Sequence, residues 1–363
     1  MKKYIPTFTD ISKWHIQVYT NTGGSRSKKI AINPQTEEEY FFKGSKITKD
    51  GEIRYPMEFW SEIISSKIGQ YLGFPMLDYN IAFHIDQKQQ VGCISKSMVR
   101  YSENRLTEGK EFLTGYNSKY NPKKDKTEYT FQFICNSLKY FELDNYINKI
   151  IEIIIFDSII SNSDRHQENW GIIHKYKETY EAIDTEIKEE NLGLIKRFLL
   201  EFIKNFLQSI DDLKSKSKSK YVKKGLLQID SSVILHEFSP IYDSGCCLGR
   251  EIEEYEIQNY LDNSKSINSY IQKGVSEIHW QGIAKKRTHF ELIELLKENH
   301  ETHVRKIIER VLNTYNESNI QEIIYNIDNN IPENLLAYKL TQNRKDLMLK
   351  LITLRLEKLK QLV

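Results

Sequence analysis

The segment Ser161-Asn162-Ser163-Asp164-Arg165-His166-Gln167-Glu168-Asn169-Trp170-Gly171 sets polar and ionisable side chains between two apolar runs. Asp164 and Asn169 stand five residues apart. A loop of that length can aim a carboxylate and an amide oxygen into one pocket. Phosphoryl transfer asks for such a pair: a carboxylate to accept or orient an acceptor hydroxyl, and an oxygen ligand for Mg²⁺. A second carboxylate for the metal should follow later in the chain. Asp243, in Pro240-Ile241-Tyr242-Asp243-Ser244-Gly245, is the candidate, after an apolar stretch and before a Ser-Gly turn. Taken singly, these residues read as a capped turn and a strand-end loop. Three roles in the right order on plausible elements favour the catalytic reading.

Elements must hold these groups. The short runs 16–19, 29–32 and 39–43 predict an antiparallel meander, with a turn signal at Thr22-Gly23-Gly24-Ser25. Trp60, Ile63, Ile64, Ile68 and Leu72 fall at helical spacing and predict a helix from about Met57 to Leu72, closed by Gly73. The runs 80–85 and 90–95 predict a hairpin. A strongly apolar helix from Tyr146 to Asn162 leads into the polar segment. Residues 170–174 and 239–243 read as short strands or turns around a site, and 290–363 as a charged helical tail. Between those strands, 176–236 holds an amphipathic helix on Leu192, Ile195, Leu199, Phe202, Phe206 and Ile210. The Lys/Ser run 214–220 follows and reads as a flexible basic linker. This helix is expected to cover part of the larger lobe, with a partner-binding role as the sharper alternative.

The chain has 363 residues, so at roughly 100–200 per domain it makes two domains or one two-lobed unit. Its 39% hydrophobic residues supply a core. Lys+Arg 52 against Asp+Glu 50 argues against direct nucleic-acid binding. No run of 18 apolar residues predicts a membrane span. Cys93, Cys135, Cys246 and Cys247 form no C-x-x-C pair, so neither a disulfide framework nor a zinc site is expected. That pattern and the absence of an apolar signal core near Met1 suit a cytoplasmic protein.

The D-x-x-x-x-N of Asp164–Asn169 followed by the Y-D-S-G of 242–245 is similar to the HipA-like protein kinases, in particular to short, stand-alone members such as the HipT-type toxins. The D-R-H order also resembles the phosphatidylinositol 3- and 4-kinases, which share the fold. The likeness spans approximately 16–260, apart from 176–236. It implies an α+β, two-lobed kinase-like fold: a small β-rich lobe at 1–97, a mainly helical lobe at 98–363 carrying the 176–236 insertion, and a hinge near Lys96–Tyr101. It implies ATP and Mg²⁺ as cofactors and serine or threonine hydroxyls of a protein as acceptors. Asp164 matches the catalytic aspartate, and Asn169 and Asp243 match the metal ligands. Lys43 matches the lysine on the α- and β-phosphates, and Glu62 matches its ion-pair partner, with Glu58 one turn earlier as the alternative. Gly23, Gly24, Ser25, Arg26, Ser27 and Lys28 match the phosphate loop, although this stretch is not G-x-G-x-x-G. Ser25 and Ser27 are the nearest equivalents of a loop autophosphorylation site. His166 is given a bracing role and no proton transfer. Biologically, the resemblance implies a bacterial toxin with a small helix-turn-helix antitoxin, and aminoacyl-tRNA synthetases as one substrate class. The rival readings are a lipid or small-molecule kinase and a nucleotide-binding pseudokinase scaffold.

Overall fold

The computed structural model describes residues 2–18, 29–48, 50–85, 87–88, 90–100, 103–188, 192–216 and 219–363. In chain order the strands are β1 (Phe8–Asp10), β2 (His15–Val18), β3 (Lys29–Ile32), β4 (Glu39–Lys43), β5 (Lys46–Ile47), β6 (Ile53–Arg54), β7 (Tyr79–Phe83), β8 (Val91–Lys96), β9 (Arg105–Glu108), β10 (Gly171–His174) and β11 (His236–Phe238). The α-helices are α1 (Glu58–Tyr71), α2 (Gly109–Tyr116), α3 (Phe131–Tyr140), α4 (Ile147–Ile160), α5 (Tyr176–Ile187), α6 (Leu194–Lys216), α7 (Lys220–Val233), α8 (Glu254–Asp262), α9 (Ser264–Lys273), α10 (His289–Thr314), α11 (Glu317–Tyr325) and α12 (Gln342–Lys360). The architecture is mixed α+β, with strands gathered at the N-terminal end and helices dominating the rest. Packing divides the chain into two compact units. The first comprises Met1–Ser97, Asn148–His166 and Pro240–Val363, and the second Met98–Ile147 and Gln167–Ser239.

The first unit is built on a six-stranded sheet of order β1-β7-β8-β4-β3-β2. The expected meander is present as β2-β3-β4, and the expected hairpin as β7-β8, which lies against β4. Strand β1 went unread because three residues carry no alternation. It forms only where Phe8, Thr9 and Asp10 pair in parallel with Ile81, Ala82 and Phe83. Ile11, Ala31, Phe42, Ala82 and Ile94 make one core against the sheet. Helix α1 buries not only Phe59, Trp60, Ile63, Ile64 and Ile68 but also Glu58, Glu62 and Lys67. Helix α4 is buried on every side from Ile150 to Ile160, mostly through isoleucines, with Glu152 and Asp157 as its buried charged groups. Ile252, Ile257, Ile267, Ile271, Leu347 and Leu351 knit the C-terminal helices together.

In the second unit, β9, β10 and β11 form an antiparallel sheet with β10 in the centre. Ile183, Leu226 and Ile234 make a core that receives Leu200, Ile203 and Phe206 of α6. Of the expected stripe, Phe206 packs inward, whereas Ile195, Leu199 and Phe202 are exposed, so the inward face of α6 is rotated from it over the first turns. The side chain of Ile210 lies outside the described residues. Apolar residues cover so much of this helix that periodicity alone selects no single face. The basic run is not all loop: 214–216 end α6 and Lys220 starts α7, while 217 and 218 lie outside the described residues. Among the described residues, no helix is long and apolar enough to cross a membrane.

Candidate active site

Lys43 ends β4 and is buried, opposite Cys93 of β8. Gly92 makes this approach possible: a Cβ there would lie 2.3 Å from the carbonyl oxygen of Lys43. The Lys43 Nζ sits 3.2 Å from Glu62 Oε1 and 3.0 Å from Asp243 Oδ1. Burial by itself would lower the pKa of this ammonium. The Asp243 and Glu62 carboxylates outweigh that and hold it well above the ordinary lysine value. The second oxygen of Glu62 accepts the Ser244 N–H at 2.9 Å. Glu62 thus ties α1 to β4 and to the Asp243 segment together. Glu58, the alternative partner on the same helix, pairs with Arg250 instead.

Asp243 adopts a φ of 56°, a left-handed conformation that costs a non-glycine residue roughly 1–3 kcal/mol and persists only where neighbours enforce it. The neighbours are on hand. The Asp243 N–H donates to the Tyr79 hydroxyl at 3.4 Å, and Ile241 bridges Met76 in parallel just before it. The ring of Tyr79 also lies beneath Lys43 Nζ, 5.7 Å from it.

Helix α4 delivers Asp164. After Ile160 the chain turns through Ser161 at φ 59°, and Asn162 bonds back to Asp157 through its side-chain amide at 3.0 Å. Arg165, 1% exposed, grips both Asp157 oxygens at 2.9 and 2.8 Å. It also donates to the Tyr242 carbonyl at 2.6 Å and to the Ser244 hydroxyl at 2.9 Å. A guanidinium can serve several fixed acceptors at once, where an ammonium is a single point charge. Asp164 itself is half-buried and accepts the Cys246 thiol at 3.2 Å. The Ser163 N–H donates to the Cys246 carbonyl at 3.4 Å. The loop carrying Asp164 is thereby stitched to the segment carrying Asp243. His166 contributes its backbone N–H, bonded to the Asp164 carbonyl at 2.9 Å.

The structure therefore joins Lys43, Glu62 and Asp243 in one ion-paired cluster and anchors Asp164's loop to the same segment. Asn169 belongs to the second unit, buried next to Trp170, which stacks on Phe238 and bonds the Tyr129 hydroxyl at 2.9 Å. Gly23, Gly24, Ser25, Arg26, Ser27 and Lys28 lie outside the described residues, as does Tyr101 at the expected hinge. Asp157, Arg165, Ser244, Cys246 and Tyr79 were not read as site residues. Arg165 was in plain view, but an arginine in a polar loop looks like a solvated one until its burial is known.

Among the described residues, no three His, Cys, Asp or Glu side chains converge on a metal position. Mg²⁺ does not require three: one or two carboxylates suffice when phosphate oxygens and waters complete its octahedron. The Asp243 carboxylate, 17% exposed and a hard oxygen donor, fits that demand.

No protein-family model matches the chain, and no curated protein does. Among solved structures, it is similar to the crystal structure of the Helicobacter pylori proinflammatory kinase CtkA. The TM-score is 0.62 at 15% sequence identity, over 97% of this chain and 95% of that one. At that identity the likeness is one of fold, and the fold is kinase-like.

Proposed function

We propose that this chain is an ATP- and Mg²⁺-dependent protein kinase acting on serine or threonine hydroxyls, including its own. The observation that carries the reading is the buried Lys43 ammonium held between Glu62 and Asp243. A cation kept charged in a protein interior is a ready partner for phosphate oxygens. Asp243 is the residue to hold Mg²⁺, which when bound neutralises charge on the phosphate groups. Glu62 fixes Lys43 in place and, through Ser244, fixes the backbone of Asp243. Asp164 accepts the acceptor hydroxyl's hydrogen and orients its oxygen for in-line attack on the γ-phosphorus; the bond to the β,γ-bridging oxygen breaks and ADP leaves. The metal role of Asn169 rests on its five-residue spacing from Asp164. The resemblance to HipA-like kinases supports a bacterial toxin with a helix-turn-helix antitoxin and a translation-related substrate.

The test is a paired incubation of wild type and Asp164→Ala with Mg·ATP, followed by intact mass and phosphosite mapping. Phosphate gained by wild type alone, with Ser25 or Ser27 among the sites, is the expected result. ATP binding without phosphate on the protein or on any peptide of a serine/threonine panel would favour the pseudokinase reading. Transfer confined to lipid head groups or small molecules would move the acceptor class. Absence of ATP binding would remove the assignment of this site.

A further inference from the structure

The second unit contains a cavity of about 330 Å³ that the proposed phosphotransfer does not use. Arg105 of β9 and Lys220, Lys223 and Lys224 of α7 line it, while Tyr120 and Leu227 give it an apolar wall. Glu111 is the one carboxylate in the lining, and it lies 3.7 Å from Arg105. Four cations thus face one anion around an open concavity.

The three lysines are placed against their own electrostatics. They stand at i, i+3 and i+4 on one face of α7, where like charges repel. They also fall in the first turns of a helix whose first turn holds no acidic residue, at the positive end of its dipole. Among the described residues, no carboxylate reaches ion-pair distance of Lys220, Lys223 or Lys224, and Lys224 instead rests over the Tyr140 ring at 4.5 Å. A row of lysines on open helix surface would be an ordinary solvated face. Here the row walls a concavity that also offers an aromatic and an aliphatic side chain.

We propose that this cavity binds a small ligand bearing a phosphate monoester or pyrophosphate group on an organic body. The phosphate meets the cations; its charge near −2 and its several acceptor oxygens match a cluster that a single carboxylate would leave partly unsatisfied. The organic body packs on Tyr120 and Leu227. The volume lies at the small end for a ligand pocket and suits a compact molecule or one phosphorylated side chain. This inference stands apart from the kinase reading, because no residue of the Lys43–Glu62–Asp243 cluster takes part.

The experiment is calorimetric titration of the full chain, without Mg²⁺, against inorganic pyrophosphate, free phosphotyrosine and a phosphotyrosine peptide. We expect binding that weakens as salt is raised, with phosphotyrosine tighter than pyrophosphate because its ring is buried. The exposed double substitution Lys220→Glu/Lys223→Glu should weaken every arm by at least about tenfold, with the near-ultraviolet circular dichroism of wild type retained. Asp243→Ala should leave the binding as it is, which separates this cavity from the first unit's cluster. A peptide that binds more tightly than free phosphotyrosine identifies a phosphorylated protein as the source, and equal affinities identify a small molecule. The proposal is overturned by no binding of any probe at about 1 mM. Undiminished binding by the double variant would overturn it too.

Discussion

Lys43 and Arg165 are both buried cations, and each answers for a different part of the site. Lys43 faces two carboxylates; removing it takes the shared cation from both Glu62 and Asp243, and breaking a buried pair costs about 3–5 kcal/mol. Lys43→Met is therefore expected to lower the melting temperature and to abolish phosphotransfer. Glu62→Gln keeps an oxygen for the Ser244 N–H and should destabilise less while slowing transfer at least about tenfold. Equal stability losses in the two variants would contradict this account of the cluster. Arg165 acts by geometry. It serves Asp157, Tyr242 and Ser244 together, so Arg165→Lys should lose stability and transfer in parallel despite keeping the charge. A lysine variant with wild-type melting and rate would show that the guanidinium's shape does not matter. Residue types and short spacings made Asp164 and Asp243 visible in the chain, because they are local properties. That Glu62 and not Glu58 meets Lys43 depends on which side of α1 faces β4, and a helical repeat leaves both open.

At the level of elements, the site depends on how closely β8 lies against β4. Gly92→Ala would place a methyl group 2.3 Å from the Lys43 carbonyl oxygen, a backbone atom that cannot swing away. The strands must part, at a cost of about 1–3 kcal/mol. The expected outcome is a lower denaturant midpoint together with a raised KM for ATP, since the strand that shifts is the one that carries Lys43. Gly225 in α7 is the contrasting case, with nothing within 4 Å of a Cβ added there. Gly225→Ala should stabilise the second unit by roughly 0.5–1 kcal/mol through the helix interior's preference for alanine. Denaturant melts of both variants check the pair, and a neutral Gly92→Ala would refute the close-approach argument. A period of 3.6 reveals α1 and α4 because each runs long enough to show its repeat, and the turn signals at 22–25 and 33–34 set off β2, β3 and the aromatic run of β4. Strands β1, β9 and β11 are three or four residues each, and they exist because a neighbour offers an edge.

For the molecule as a whole, near-balanced charge leaves the pH dependence of stability to particular buried groups. His289 is fully buried with neither ring nitrogen hydrogen-bonded among the described residues, and burial followed by the nearby Arg355 charge holds its pKa well below the ordinary histidine value. Burial shifts His236 and His279 in the same direction. Below about pH 6.5 the unfolded chain takes up protons that the folded chain refuses. Stability is therefore complete above that pH and falls as pH drops below it, chiefly through His289, by up to about 1.4 kcal/mol per pH unit for a fully buried histidine that stays neutral. Thermal melts from pH 7 to 5 should show this fall. His289→Phe should flatten it, and an unchanged slope would remove His289 from the explanation. The order of chemical groups along the chain, and the α+β class they sit in, were determined by the sequence alone, because side-chain chemistry and hydrophobic period are written locally. The burial of Arg165, the inward face of α6 and the meeting of Lys43 with Asp243 were decided only by the tertiary structure. Each depends on which surfaces, distant along the chain, exclude water from one another, and no local pattern carries that information.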